Sequence, residues 1–231
     1  MFFVKEIDMM DTDNIIRNNR KLLTLTIDKQ GKLLIKAPFN MPEKTIMEFI
    51  AKKQNWIESK QRMIFNARTL HKDILSYNSL LYFGTLYKPQ FVESVKQIEI
   101  DGENINIPIL TKVEKVQKIL VKWYKIQAEK ALITRVEYFL QIMSLKCTSV
   151  KLINSKRKWG TCDSSGNLAF NWRTIMLPHK IIDYIVVHEI THILEMNHSK
   201  AFWEVVQAIV PDYKSRRQLL KSSNYILDLF R

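Results

Sequence analysis

The segment His188-Glu189-Ile190-Thr191-His192 sets the tightest limit on what this chain can fold into. Residues four apart lie on one face of an α-helix, so His188 and His192 can aim two imidazoles at one point, with Glu189 beside them. Apolar residues surround the motif at Ile181, Ile182, Ile185, Val186, Ile193 and Leu194, and Pro178 stands where a first-turn proline is tolerated. The pattern predicts a largely buried helix over 179–196. Asn197-His198-Ser199 ends it, Ser199 can cap a further helix to about Val210, and Pro211 stops that one before a basic helix from about Asp212.

Two histidines at this spacing suit a catalytic zinc ion, which takes three protein ligands and leaves one position to water. His198, just past the helix end where the chain must turn, is the leading third ligand; Glu195, Glu204 and His179 are the alternatives. In this reading the metal polarises a substrate carbonyl and acidifies its water, and Glu189 acts as general base, accepting the water proton and delivering it to a leaving amine. Spacing does not identify the donor for the tetrahedral oxyanion; Tyr213, Asn171 and Arg173 are candidates. The bland alternative makes the pair core histidines or ligands of a closed structural zinc. Closed sites favour cysteine, however, and would leave Glu189 buried without a task.

Around this motif the chain reads as α+β. RKLLTLTI (20–27) and KLLIKA (32–37) form two antiparallel strands about a turn at Gly31, and Glu43 to about Arg68 is an amphipathic helix. Short strands return between Leu80 and Ile109, in LLYFG, LYKPQFVE, QIEI and NINIPI. Thr111 to about Leu145 contains no Gly or Pro and reads as one long connecting helix, with a lysine ridge at 112, 115, 118, 122 and 125. TSVKLIN (148–154) and NLAFNW (167–172) alternate like strands of a hairpin around SKRKWGTCDSSG. The best boundary lies at Ile109 to Thr111, giving an N-terminal α+β domain over 1–110 and a helical, catalytic domain over 111–231.

Charge and cysteine content narrow the function classes. The net charge of +13 is unevenly placed: residues 1–110 hold 16 Lys or Arg against 13 Asp or Glu, whereas 111–231 hold 20 against 10. The second half would attract anionic partners, nucleic acid or nucleotides among them, although a solvated surface is the plainer reading. Cys147 and Cys162 lack metal-binding spacing and read as reduced thiols. No apolar run approaches the roughly 20 residues of a membrane span, and Met1–Met10 lacks the apolar core of a signal peptide, so a cytoplasmic protein without membrane contact is expected.

Several short motifs resemble those of the YgjP-like metallopeptidase family, which is related to SprT-like proteases: Lys158-Trp159-Gly160-Thr161-Cys162, Phe170-Asn171-Trp172-Arg173, Asp183 through Glu189, Met196-Asn197-His198-Ser199, Phe202-Trp203 and Pro211-Asp212-Tyr213. The match is close over about 150–220 and looser at Arg20-Lys21, Trp56-Ile57 and Phe83-Gly84. Thr161 stands where the family usually has Ser, and Ile190-Thr191 where Leu-Ala is common; neither change removes a ligand. The resemblance implies a zincin-like domain with a short sheet, zinc on His188, His192 and His198, and Glu189 as general base.

A zinc metallopeptidase acting on a protein or peptide substrate is therefore the leading expectation. A metal-dependent nucleoside triphosphate pyrophosphohydrolase, with Lys156, Arg157, Lys158 and Arg173 on the phosphates, is the first alternative, though no glycine-rich phosphate loop is present. A basic nucleic-acid-binding protein with a structural metal is the second. For the Trp159–Cys162 loop two readings stand side by side: an edge that hydrogen-bonds an extended peptide, or a turn packed into the core.

Overall fold

The computed structural model describes residues 15–28, 30–76, 78–109 and 113–230. The N-terminal decapeptide, the end of the Ile109–Thr111 boundary and Lys112 of the lysine ridge lie outside these residues. The chain divides into two compact units, 1–69 and 70–231.

In the first unit β1 (Ile15–Asn18), β2 (Thr24–Ile27) and β3 (Leu33–Pro38) form a sheet in the order β1-β3-β2. β2 and β3 make the expected hairpin, while β1, which sequence reading missed, runs parallel to β3. The turn holds because Asp28 Oδ1 accepts from the Gln30 and Lys32 amides while Gly31 adopts φ +90°. Ile46 and Ile50 of α1 (Glu43–Lys52) and Ile57 of α2 (Gln54–Leu75) close a small core over Ile35 and Ala37. What reads as one helix from Glu43 is two, because the backbone leaves helical geometry at Lys53 (φ −104°, ψ 7°).

The second unit has two sheets and the remaining helices. β4 (Leu80–Tyr82), β5 (Thr85–Val92), β6 (Glu99–Asp101) and β7 (Asn104–Pro108) pair in the order β4-β5-β7-β6, and α3 follows as one unbroken helix over Val113–Ile142. Val116, Leu120, Tyr124, Ala128, Leu132, Val136 and Phe139 of α3 recur every three or four residues and are buried along one face; Lys115, Lys118, Lys122 and Lys125 are exposed opposite. Leu80, Leu81, Ile105 and Ile107 belong to the same core cluster as α3 and the C-terminal helices. These strands, α3 and the C-terminal helices thus share one core within the second unit.

The last sheet differs from expectation. β8 (Ser149–Ile153) and β10 (Asn167–Asn171) are parallel, so they form no hairpin, and β9 (Gly160–Cys162) pairs antiparallel with β10 at the sheet edge. After a 3-10 turn at Trp172–Met176 come α4 (His179–Thr191), α5 (Lys200–Ile209) and α6 (Tyr213–Ser222). Ile181, Ile182, Ile185, Val186, Val187 and Ile190 bury α4 nearly all round, each contributing about 1.5–3 kcal/mol of apolar burial. The β4–β5 turn clamps the start of α4. The Phe83 and Gly84 amides donate to the Ile175 and Met176 carbonyls, and the Phe83 ring stacks on His179 at 3.9 Å. Gly84 (φ +79°) lies so close to Pro178 that a Cβ would fall 2.6 Å from Pro178 Cγ. No helix among the described residues is long and apolar enough to cross a membrane.

Candidate metal centre

α4 holds His188 and Glu189 and ends at Thr191, with His192 as its C-cap, several residues before the 196 expected. Beyond it the backbone tightens. The Ile193 and Leu194 amides donate three residues back, to Ile190 and Thr191, and the chain turns through Asn197. Ser199 then caps α5 by accepting from the Phe202 amide, as its sequence position suggests. This short reversal carries His198 back to α4.

The three histidines meet. One ligand atom from each of His188, His192 and His198 lies within 4.8 Å of the others, and His188 Nε2 is 3.1 Å from His198 Nε2. Two ligands at the usual Zn–N length stand about 3.3 Å apart in a tetrahedral site, so the spacing fits such an ion. His192 Nδ1–H donates to the Glu195 carbonyl at 3.1 Å, which leaves its Nε2 lone pair for a metal. Burial, then the neighbouring His192 and His198, push His188 down to about 3; burial is likewise the first cause lowering His198. Neutral imidazoles that offer lone pairs follow. His188 Nδ1 is buried with no partner among the described residues, so packing orients that ring, against Phe202 at 5.0 Å and Trp203 at 5.9 Å. Trp203 also stacks on His198 at 5.6 Å and on Tyr213 at 5.2 Å, with the Arg217 guanidinium 4.9 Å from its ring centroid.

The other suggested ligands are not part of this cluster. His179 stacks on Phe83, Glu204 pairs with Lys200, and Glu195 meets His192 through its backbone carbonyl. Glu189 is 7% exposed, and burial pushes its carboxyl up to about 8 against the opposing charge of Lys158. Its side chain passes against Gly160 of β9, and both line a cleft with Lys158, Trp159, Tyr184 and His188.

β9 reaches this cleft through a tied loop. Asn171 Nδ2 donates to the Ser155 and Lys158 carbonyls, Ser155 Oγ accepts from the Arg157 and Lys158 amides, and Trp159 Nε1 donates to Asn224. The Asn171 amide bonds the Trp159 carbonyl, and Thr161 stands opposite Ala169. Antiparallel alternation then turns the amides and carbonyls of Gly160 and Cys162 away from β10, toward the open edge. Trp159 is buried, so the loop is packed and edge-forming at once. Two of the oxyanion candidates are excluded by their bonding. Asn171 is wholly buried, and Arg173, 2% exposed, donates to the carbonyls of Leu229 and Phe230 and to Asn154. The same bonds remove Arg173 from any phosphate site. Gly160 entered the sequence reading only within the Trp159–Cys162 loop and Tyr184 only within the Asp183–Glu189 motif; a glycine opening a strand and a tyrosine one turn ahead of His188 carry no chemical pattern of their own.

A crystal structure of the metallopeptidase zymogen of Pyrococcus abyssi abylysin is similar at 19% identity and a TM-score of 0.36, over 38% of this chain and 90% of that one. No curated protein matches the chain. The YgjP-like metallopeptidase domain matches residues 21–223, nearly the whole length. The chain belongs to the YgjP-like metallopeptidase family.

Proposed function

We propose that this protein is a zinc-dependent metallopeptidase in which His188, His192 and His198 hold the ion and Glu189 is the general base. The convergence of three imidazoles beside a buried carboxyl, in a member of a metallopeptidase family, carries the reading. Zinc in this site would supply Lewis acidity, polarising a carbonyl and lowering the pKa of water toward about 7. A cation on the histidines also opposes the burial of Glu189 and draws it toward its carboxylate form. The carboxylate then takes the proton of the attacking water and passes it to the departing amide nitrogen.

The substrate in this reading is an extended peptide. It adds as a strand to β9, exchanging hydrogen bonds with the outward amides and carbonyls of Gly160 and Cys162, so its backbone runs past Glu189. Glu189→Gln tests the assignment: bound zinc stays at the wild-type stoichiometry while hydrolysis of an unfolded protein substrate disappears. Undiminished proteolysis in that variant would sink it.

A further inference from the structure

Tyr184 lies one helical turn before His188 on α4, with their ring centroids 5.9 Å apart. The residue is 3% exposed, yet it lines the cleft that holds Glu189, His188 and Gly160. Among the described residues its hydroxyl makes no hydrogen bond, and the oxygen itself is not shut off from solvent, so the tip meets the open cleft. A tyrosine whose ring is buried while its hydroxyl stays accessible can pair with water or with a ligand that enters the cleft. Tyr124, by contrast, donates to the Leu81 carbonyl at 3.0 Å. Tyr184 keeps a buried body and a free tip at the cleft wall.

Position and chemistry then point the same way. Spacing of four residues puts Tyr184, His188 and His192 on one face of α4, so the hydroxyl sits on the metal side of the helix. Phenols keep their proton at neutral pH, which makes this group a hydrogen-bond donor. Tyr213 is not among the residues lining this cleft, and Asn171 and Arg173 are already bonded.

We infer that Tyr184 is a further catalytic residue, whose hydroxyl donates a hydrogen bond to the scissile carbonyl oxygen as negative charge develops there. The inference rests on the peptidase reading above. As the water oxygen bonds to the carbonyl carbon, the C=O π pair moves onto the carbonyl oxygen and is met by the phenolic O–H. The C=O bond re-forms as the C–N bond breaks, and the proton that Glu189 took from water goes to the nitrogen. Tyr184 keeps its own proton throughout, and nothing is oxidised or reduced.

The test compares zinc-loaded wild type, Tyr184→Phe and Tyr184→His on one fluorogenic peptide, with a phosphinate pseudopeptide of the same sequence as transition-state mimic. Tyr184→Phe is expected to lower kcat on the order of 100-fold with KM within about twofold, and to weaken the phosphinate by a factor similar to the loss in kcat/KM. Tyr184→His, which retains a ring donor, restores part of kcat. Wild-type kcat in Tyr184→Phe, or a fall in kcat with phosphinate affinity unchanged in both variants, overturns the inference while the peptidase stands. An inactive zinc-loaded wild type overturns the peptidase reading itself, and the role of Tyr184 with it.

Discussion

Gly160 and Glu189 share one volume: a Cβ on Gly160 would lie 2.6 Å from Glu189 Cγ and 2.8 Å from Oε1. No real Cβ tolerates that approach, so β9 and α4 can pass this closely only because position 160 has no side chain. Gly160→Ala must therefore push the Glu189 carboxyl aside. It is expected to lower kcat about 100-fold, the scale that a displacement of order 1 Å brings, while the protein retains its metal. Peptide turnover measured beside zinc stoichiometry checks it; full activity would mean that Glu189 has room the structure does not show.

Metal binding should appear as stability. A ligand that binds only the folded chain stabilises it by about 2.7 kcal/mol at 100 times its Kd, so Tm rises on adding zinc and falls on chelation. His198→Ala removes the imidazole proposed as third ligand, which stands on an exposed turn, and is expected to abolish most of that rise with little change in the metal-free Tm. Thermal scans of both proteins with and without zinc decide it, and an equal zinc-induced shift in the variant would exclude His198 as a ligand.

Asn171 holds the loop that delivers β9 to the cleft, through two donated bonds and one accepted from the Arg173 amide. Asn171→Ala strands these buried groups, and unsatisfied partners cost about 1–3 kcal/mol each. A loss of about 3 kcal/mol in denaturant unfolding is expected, together with impaired turnover as the loop loosens. A loss below about 1 kcal/mol would show that the ties contribute little.

Cys162 supplies a pH signature for the metal-free protein. Burial, then the negative charges of Glu189 and Asp163, push its thiol up to about 11. Because only the thiolate reacts, alkylation by iodoacetamide in a Cys147→Ser background is expected to stay slow at pH 8 and to accelerate only above about pH 10. The stability sign agrees. A folded pKa above the ordinary value favours the folded state below about pH 9, and that contribution is lost as pH climbs toward 11. Rapid labelling at pH 8 would contradict the raised thiol and its half-buried placement beside Glu189.

The convergence of the three histidines was legible in part from helical periodicity and in part from a capping signal. His188, Glu189 and His192 are near neighbours in sequence, and Ser199 marks the reversal that returns His198. The first hairpin and the long α3 helix were legible for the same reason, since each is written in local turn chemistry or in a repeating apolar stripe.

What tertiary structure decided lies between segments far apart in the chain. Residues around 160 meet residues around 189 only after β9 pairs with β10, a pairing whose partners and direction no local pattern specifies; the same blindness made parallel β8 and β10 look like a hairpin. Arg173 reads as an oxyanion donor or a phosphate ligand until Leu229 and Phe230 fold over it and take its hydrogen bonds. The motif around His188 thus determined which atoms can hold a metal. The cleft beside it, with Gly160 making room and Tyr184 facing inward, exists only because long-range packing brings a strand edge against that helix.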